Sequence, residues 1–264
     1  DAVSVPVIAS GGAGKIEERY IAHRGLHVNP SVPENSLDAF SRAVQTGYAI
    51  ELDVQLTSDD QLVVFHDETL KRVCGDDRKL HELTFSELST MRLFGTGERI
   101  PLFREVLDMI AGRVPLVVEI KSEGRYIRTT ELTCEMLKSY DGLYCVESFH
   151  PMVLRHLRNH YSEFLRGQLS TDYRREEVDV AGWQRFILTN LMMNWLSRPD
   201  FIAYDHRYKE RLSFRICRSV FKPVCFAWTV QSQSALEDSK KLFDAVIFDS
   251  FIPQDDHTDD PVMR

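Results

Sequence analysis

The feature that most constrains the fold of this chain is a regular alternation of short apolar runs with amphipathic segments. Eight runs have the length and residue types of buried strands: Tyr20–His23, Ala49–Val54, Leu116–Lys121, Leu143–Ser148, Leu165–Leu169, Phe201–Asp205, Val224–Thr229 and Ala245–Phe248. Helix-like segments with apolar residues three and four apart lie between most of them, for example Ser36–Gln45, Leu102–Ile110, Thr130–Leu137, Pro151–Asn159, Arg207–Val220 and Ser232–Leu242. Eight strands in β–α alternation predict a TIM (β/α)8 barrel, with a doubly wound open sheet as the alternative.

Length and composition are those of a single globular domain. The 264 residues are 43% hydrophobic and 27% charged, and α/β barrels of about 250 residues are commonly single domains. The net charge of −8 argues against a nucleic-acid partner. No apolar run approaches the roughly 18–20 residues of a membrane span. We therefore expect a soluble, cytoplasmic protein without stable membrane insertion, whose five cysteines, none in a CxxC pair, are reduced thiols.

One connection is too short for the barrel pattern. Only a few turn residues separate AIELDVQLT from LVVFHD, whereas a parallel crossover needs a dozen or more. The second strand is therefore predicted to turn at Ser58–Asp60 and return as a short antiparallel arm. With the turn there, His66 lies roughly opposite Leu52 and Asp53.

The two ends of the chain depart from the alternation. Residues 1–18 contain VPVIASGGAGKIEE, an apolar strand and a glycine loop that resemble part of the phosphate-binding region of the imidazole glycerol phosphate synthase cyclase subunit. No helix follows before Tyr20, so we interpret residues 1–18 as an N-terminal extension or fusion remnant, and residues 19–264 as the barrel domain. The first residue is Asp, so the true N-terminus is expected to be missing. After FDSFIP the chain is acidic, which predicts a weak or absent last helix.

Three carboxylates are predicted to meet at the barrel mouth. Glu51 and Asp53 are two residues apart on one strand and therefore share a face. Glu119 occupies the matching place on the next parallel strand, with Lys121 two residues further on. Three oxygen ligands suit Mg²⁺ or Ca²⁺. The alternative is a metal-free network in which Lys121 and Arg24 neutralise the carboxylates.

Two histidines are predicted to reach the same acids. His23 and Arg24 end the first strand, and His66 ends the arm. A single histidine at a strand end is usually a core residue, but two that converge on one acid cluster favour an acid/base pair. Arg24 and Lys121 would supply the positive charge that a phosphodiester needs.

These residues lie in motifs that resemble those of the glycerophosphodiester phosphodiesterases. The motifs occur in the family's order between Tyr20 and about Pro253: HRG (23–25), PENS (33–36), ELD (51–53), LTSD, FHD (65–67), VEIK (118–121), SF (148–149) and WTV (228–230). The resemblance implies a TIM barrel and metal-dependent hydrolysis of deacylated phospholipids to glycerol 3-phosphate and an alcohol. A lysophospholipid or other phosphodiester substrate is the alternative, and a non-enzymatic binding barrel is a third.

The resemblance also implies roles for individual residues. It makes Glu51, Asp53 and Glu119 the ligands of one divalent cation, His23 and His66 the catalytic acid/base pair, Arg24, Lys121 and Trp228 the substrate-binding residues, and Glu34 and Asn35 supporting residues. Gln231 and the segment CGDDRK depart from the family pattern near the expected alcohol subsite. They leave the identity of the alcohol open.

Aromatic residues outside these motifs fall mostly on faces predicted to be buried. These residues are Phe149, Trp183, Trp195, Tyr204 and Phe226. The basic runs Arg155–Arg158 and Arg207–Arg218 are predicted to be solvated helix faces.

Overall fold

A closed β-barrel forms the centre of the computed structural model, which describes residues 5–9, 12–16, 20–176 and 181–254. In chain order the strands are β1 (Val5–Ala9), β2 (Gly12–Ile16), β3 (Tyr20–Ala22), β4 (Ala49–Leu56), β5 (Leu62–Val64), β6 (Leu116–Ile120), β7 (Tyr144–Ser148), β8 (Arg166–Ser170), β9 (Phe201–Asp205), β10 (Val224–Val230) and β11 (Ala245–Phe248). All but β1, β2 and β5 are parallel barrel strands. The ring closes because β11 pairs with β3 as well as β10. The predicted TIM barrel is confirmed.

Helices follow most of the barrel strands. They are α1 (Leu37–Thr46), α2 (Lys71–Cys74), α3 (Phe85–Leu88), α4 (Phe103–Ile110), α5 (Tyr126–Lys138), α6 (Pro151–His160), α7 (Gly182–Thr189), α8 (Asn194–Ser197), α9 (Leu212–Phe221) and α10 (Gln233–Ser239), with 3₁₀ turns at Leu80–Glu82, Leu93–Gly95 and His206–Tyr208. Ser36 caps α1, because its side chain accepts a hydrogen bond from the backbone N–H of Ala39.

Two helix boundaries differ from the sequence prediction. Helix α5 begins at Tyr126 rather than at Thr130. The apolar pattern missed its first turn because buried residues of this helix include threonines. The hydroxyls of Thr130 and Thr133 donate to backbone carbonyls four residues earlier, which allows these polar side chains to be buried. The predicted helix Arg207–Val220 is split into a 3₁₀ turn and α9. Asp205 caps the start of the 3₁₀ turn, because its carboxylate accepts hydrogen bonds from the backbone and side chain of Arg207.

The alternation of side chains along each strand separates two apolar layers. On β4, Ile50, Leu52 and Val54 pack against the helices. Ala49 instead joins the cluster that fills the barrel interior, together with residues such as Phe201 and Phe226. Side chains at odd-numbered positions of β4 therefore point into the barrel, and those near its carboxyl end reach the mouth.

The antiparallel arm is confirmed. Strand β5 pairs with β4 with Val64 opposite Val54, and the Phe65 N–H donates to the carbonyl of Asp53. Gln55 Nε2 donates to the carbonyls of Phe65, His66 and Asp67, at 2.9, 3.1 and 2.9 Å. A separate apolar cluster from residues 63–100 packs beneath the arm.

The N-terminal segment is a hairpin rather than the predicted strand and glycine loop. Residues 12–16 form β2 because their backbone pairs with β1, from Ala9 opposite Gly12 to Val5 opposite Ile16. Ile8 also pairs with Tyr144 at the start of β7. After β11, the described residues 249–254 contain no helix, and residues 255–264, where a weak or absent last helix is predicted, lie outside the described part.

Two aromatic residues predicted to be buried are exposed. Tyr204 and Phe226 are core residues, whereas Trp183 and Trp195 are 67% and 74% exposed. These tryptophans lie on the outer faces of α7 and α8, where no described element covers them. Among the described residues, every helix is too short or too polar to cross a bilayer.

Candidate active site

Carboxylates from three adjacent strands meet at the barrel mouth. Asp53 lies opposite Glu119 of β6, which lies opposite Glu147 of β7. Carboxylate oxygens of Glu51, Asp53 and Glu119 all lie within 4.8 Å of one another, and the three residues are buried. Glu147 extends the row of interior acids and is also buried. A row of buried acids requires compensating positive charge.

Burial and mutual repulsion raise the pKa of two of these acids, whereas neighbouring basic groups lower that of the third. Burial raises the pKa of Glu51 well above its usual range, and the charges of Asp53 and Glu119 add to this. Burial also raises the pKa of Glu119 to about 7, although Lys121 opposes the shift. Burial would raise the pKa of Asp53 as well, but Lys121 and His66 hold it well below its usual range. Asp53 is therefore held ionised, whereas burial favours the protonated forms of Glu51 and Glu119 unless further positive charge is supplied.

The oxygen donors fit a hard divalent cation. Lys121 Nζ lies 3.0 Å from Glu119 Oε1 and 3.4 Å from Asp53 Oδ1. Within the described part of the chain, Asp53 Oδ1 and Glu147 Oε2 are buried without a hydrogen-bond partner. Carboxylates of this kind are the ligands that Mg²⁺ and Ca²⁺ prefer. The cluster of Glu51, Asp53 and Glu119 could therefore hold such an ion.

A tight turn after β3 brings a cation to the acids. Arg24 and Gly25 both have left-handed backbone conformations, with φ of 53° and 79°. At Gly25 a Cβ would lie 2.9 Å from the backbone carbon of Ala39 and from a ring carbon of Phe40, so glycine is required. The turn directs the Arg24 backbone N–H to Glu51 Oε2, at 2.9 Å. A non-glycine residue held at positive φ next to the acids is a strained feature of the kind found at functional sites.

The predicted supporting residues hold this turn and the carboxylates. Arg24 donates from one guanidinium nitrogen to Glu34 Oε1 at 2.6 Å, and its Nε lies 3.5 Å from Asp53 Oδ2. Asn35 Nδ2 donates to the same Asp53 oxygen at 2.8 Å. Glu34 and Asn35 therefore orient Arg24 and Asp53 from the first loop.

A second arginine, not identified from the sequence, joins the first loop to the arm. Arg72 donates twice to Glu34, at 2.7 and 2.8 Å, and twice to Asp67, at 2.7 and 2.9 Å. Asp67 in turn lies 2.7 Å from Nδ1 of His66. Although burial opposes the shift, Arg72 and Arg24 lower the pKa of Glu34 to about 2. These contacts fix His66 relative to the first loop.

The other catalytic candidate also has a carboxylate partner. His23 Nδ1 lies 3.4 Å from Asp249 Oδ2, and His27 Nε2 lies 3.3 Å from Asp249 Oδ1. Asp249 follows β11 directly and so lies at the same mouth. Burial and the neighbouring Arg24 lower the pKa of His23 to about 4, while Asp249 acts to raise it. Burial and Lys121 likewise lower the pKa of His66.

Aromatic side chains form one wall of the mouth. Trp228 of β10 packs edge to face on Phe149, with ring centroids 5.3 Å apart. Phe149 packs edge to face on Tyr173 in turn, with ring centroids 6.5 Å apart. Asp205, at the end of β9, is buried and accepts a hydrogen bond from the Thr171 hydroxyl. Tyr204 faces outward and stacks on Phe214 of α9, so it does not contribute to the wall.

The structure brings the predicted site residues to one end of the barrel. It adds four residues that sequence analysis did not select: Arg72, Asp67, Glu147 and Asp249. Glu147 had a signal, because CVES repeats the position of the acid in VVEI on the preceding strand. Arg72 contacts Glu34, 38 residues away in the sequence, and Asp249 contacts His23, 226 residues away. No local sequence pattern indicates either contact.

The sequence matches a known protein family and several of its members. Residues 23–255 match the model of the glycerophosphoryl diester phosphodiesterase family. A glycerophosphodiester phosphodiesterase of Caldanaerobacter subterraneus is 40% identical over 151 residues, which are 54% of this chain and 58% of that protein. The Bacillus subtilis protein YhdW is 33% identical over 222 residues, 81% of this chain and 86% of its own length.

The fold is shared with solved structures. An Oleispira antarctica phosphodiesterase, solved in complex with the product sn-glycerol-3-phosphate, superposes with a TM-score of 0.72 at 24% identity. The superposition covers 88% of this chain and 92% of that one. The barrel and its connections are therefore those of an existing fold.

Proposed function

This chain belongs to the glycerophosphoryl diester phosphodiesterase family, and from that premise we propose that its barrel mouth hydrolyses glycerophosphodiesters to glycerol 3-phosphate and an alcohol. The observation that carries the proposal is the buried cluster of Glu51, Asp53 and Glu119 beside two basic side chains and two imidazoles. We assign the activity to the barrel domain, residues 19–264, and treat residues 1–18 as an extension outside it, since the family match begins at residue 23.

We propose that Glu51, Asp53 and Glu119 hold one divalent cation of the Mg²⁺ or Ca²⁺ type. When bound, such an ion supplies positive charge that stabilises the oxygens of the reacting phosphate. Arg24 and Lys121 would hold the same anionic group from either side, because both already lie within 3.5 Å of the carboxylates. Asn35 and Glu34 would keep Asp53 and Arg24 oriented while the substrate enters.

We propose that His23 and His66 move the protons. Nδ1 of each ring faces a carboxylate, Asp249 or Asp67, which leaves Nε2 for the substrate. One imidazole would accept the proton of the attacking water, or of a glycerol hydroxyl whose cyclic phosphate product a water then opens, as the new O–P bond forms. The other would donate a proton to the alcohol oxygen as its P–O bond breaks.

We propose that Trp228 forms the wall against which the organic part of the substrate packs. Its ring is fixed by Phe149, and its Nε1 has no hydrogen-bond partner among the described residues. A buried donor of this kind is available to a substrate oxygen. The contact would position the substrate without participating in bond cleavage.

The test is a product assay over glycerophosphodiesters with different alcohols, each run with Mg²⁺, Ca²⁺ and chelator. We expect turnover that chelator removes and added metal restores. Glu119→Gln should lose both metal binding, measured by calorimetry, and turnover, whereas Glu135→Gln, at an exposed acid near the carboxyl end of α5, should keep both. His23→Ala should lose turnover but retain the metal. Full turnover in Glu119→Gln, or a preference for lysophospholipids over every glycerophosphodiester, would refute the proposal.

A further inference from the structure

The outer side of the barrel carries an apolar surface that its own fold does not cover. Of the eleven large hydrophobic side chains exposed in the described part of the chain, eight lie between residues 183 and 221. Trp183 and Phe186 on α7 are 67% and 55% exposed, and Trp195 on α8 is 74% exposed. Apolar clusters of this kind on a soluble domain usually mark an interaction surface.

Helix α9 supplies the second half of this surface. Leu212, Ile216 and Val220 are exposed and follow one another at four-residue spacing, so they form a stripe along the outer face of the helix. Phe221 at its end is 75% exposed. The inner face is held by buried Phe214, which stacks on Tyr204. The helix is therefore docked firmly while presenting an apolar stripe outward.

Helix α8 and the segment before it face α9. A groove of about 730 Å³ runs between them, lined by Met192 and Trp195 on one side and by Ile216 and Phe221 on the other. We call the exposed apolar side chains of α7, α8 and α9 the lateral apolar face. Helix α9 begins after the carboxyl end of β9 and ends before β10 starts, so the face extends along the height of the barrel.

Basic side chains accompany the lateral apolar face. Arg198 lines the groove, Arg215 adjoins Ile216 of the apolar stripe, and Lys222 follows α9 directly. Residues 182–223 contain eight Lys or Arg and three Asp or Glu, although the whole protein has a net charge of −8. Three of the eight, Arg207, Lys209 and Arg211, are paired with acids outside this range. The positive charge at the edge of the apolar face therefore comes from the remaining basic residues, Arg198 and Lys222 among them.

We propose that the lateral apolar face docks the protein on the surface of an anionic phospholipid bilayer. Adjacent apolar and basic stripes on one helix are the pattern of interfacial helices, which bury their apolar side by about 5–10 Å and pair their basic side with anionic headgroups. Trp and Phe favour this interface. Docking along the side of the barrel would leave the mouth open parallel to the membrane rather than blocked by it.

The charge distribution favours a membrane over a second copy of this chain. A two-fold dimer through the lateral apolar face would bring the same patch from each copy together. The basic side chains of both copies, Arg215 and Lys222 among them, would then share one interface, and like charges gathered there disfavour association. An anionic surface instead complements them. The proposal does not depend on the reaction at the mouth.

The test measures co-sedimentation with vesicles of pure phosphatidylcholine and of phosphatidylcholine mixed with phosphatidylglycerol. We expect the protein to bind the mixed vesicles more tightly, and to bind them less tightly as salt rises. Trp195→Ala combined with Phe221→Ala should weaken binding by about tenfold or more. Arg215→Gln combined with Lys222→Gln should remove the preference for anionic vesicles. Ile127→Ala, at an exposed apolar residue of α5, is the matched control and should bind like wild type.

Circular dichroism and turnover of a water-soluble substrate serve as folding checks, because none of these residues belongs to the site at the mouth. Tryptophan emission gives an independent readout, since Trp183 and Trp195 are exposed and their emission should shift to the blue on mixed vesicles. Equal binding by wild type and the Trp195/Phe221 variant would overturn the proposal. A dimer in solution that this variant abolishes, with no vesicle binding by wild type, would assign the face to a second copy instead.

Discussion

At the scale of single residues, each candidate catalytic imidazole has a carboxylate beside its Nδ1 atom. His66 has Asp67, the next residue in the chain, and His23 has Asp249, which arrives from the last strand. A carboxylate at Nδ1 selects the tautomer that leaves Nε2 as the proton acceptor. Asp249 also contacts His27, so one side chain organises both histidines of the first turn.

Replacing Asp249 by Asn should therefore affect catalysis more than substrate binding. We expect kcat to fall by about ten- to a hundredfold, as for other partners that orient a functional imidazole, with KM little changed. Asp249 acts to raise the pKa of His23, so its loss should lower that pKa and move the corresponding limb of the kcat–pH profile to lower pH. The measurement is kcat and KM across pH.

Two comparisons distinguish orientation from a general loss of structure. Asp249→Glu retains the charge and should recover part of the activity, whereas Ser250→Ala, which removes only the hydroxyl that donates to Asp249, should be nearly silent. An Asp249→Asn protein with a lowered melting temperature but unchanged kcat would show that Asp249 has a structural role alone.

At the scale of elements, the antiparallel arm is the device that delivers His66 to the barrel. Strand β5 has three residues, and on its own so short a strand would be marginal. Gln55 compensates, because its amide donates to three consecutive carbonyls of the segment that follows β5. The side chain therefore fixes the backbone at His66 from within β4.

Removing this amide should displace His66 while the barrel remains folded. For Gln55→Ala we expect a marked loss of kcat and a decrease of about 1–3 kcal/mol in the free energy of unfolding, the usual cost of leaving buried polar groups unpaired. Gln61→Ala, in the exposed turn of the same hairpin, is the control and should change neither quantity appreciably. Turnover assays and urea unfolding measure both. Normal kcat in Gln55→Ala would show that the arm does not depend on this contact.

At the scale of the whole molecule, the aromatic side chains inside the barrel leave no room for a side chain at one position of β8. Gly167 of β8 faces Phe201 of β9, and a Cβ added there would lie 2.1 and 2.2 Å from two carbons of the ring. The ring has little freedom to move, because it stacks on Phe226 of β10 with centroids 4.6 Å apart. The absence of a side chain at residue 167 therefore makes room for an interior aromatic pair.

Gly167→Ala should destabilise the barrel by about 1–3 kcal/mol or more, as overpacking of a core generally does. Gly97→Ala is the matched control, because a Cβ there meets nothing within 4 Å, and should be close to neutral. Urea unfolding followed by circular dichroism measures both. Equal stability of the two variants would mean that β8 and β9 can separate at no cost.

The sequence by itself determined the architecture and most of the candidate site. Strand and helix periods are local properties, so eight strands, their order and the short turn before the arm could be identified without coordinates. The period of two also placed Glu51 and Asp53 on one face, and parallel order aligned them with Glu119. The motif resemblance extended this to Arg24, Lys121, His23 and His66.

Only the tertiary structure decided which partners complete the site and which surfaces remain uncovered. Asp249 meets His23 across 226 residues because the barrel closes, and Arg72 meets Glu34 across 38 because the segment after the arm reaches the first loop. No local pattern encodes either contact. The same limit explains Trp183 and Trp195, which a hydrophobicity pattern assigns to a core. Burial depends on whether another element covers a side chain, and here none of the described elements covers these two.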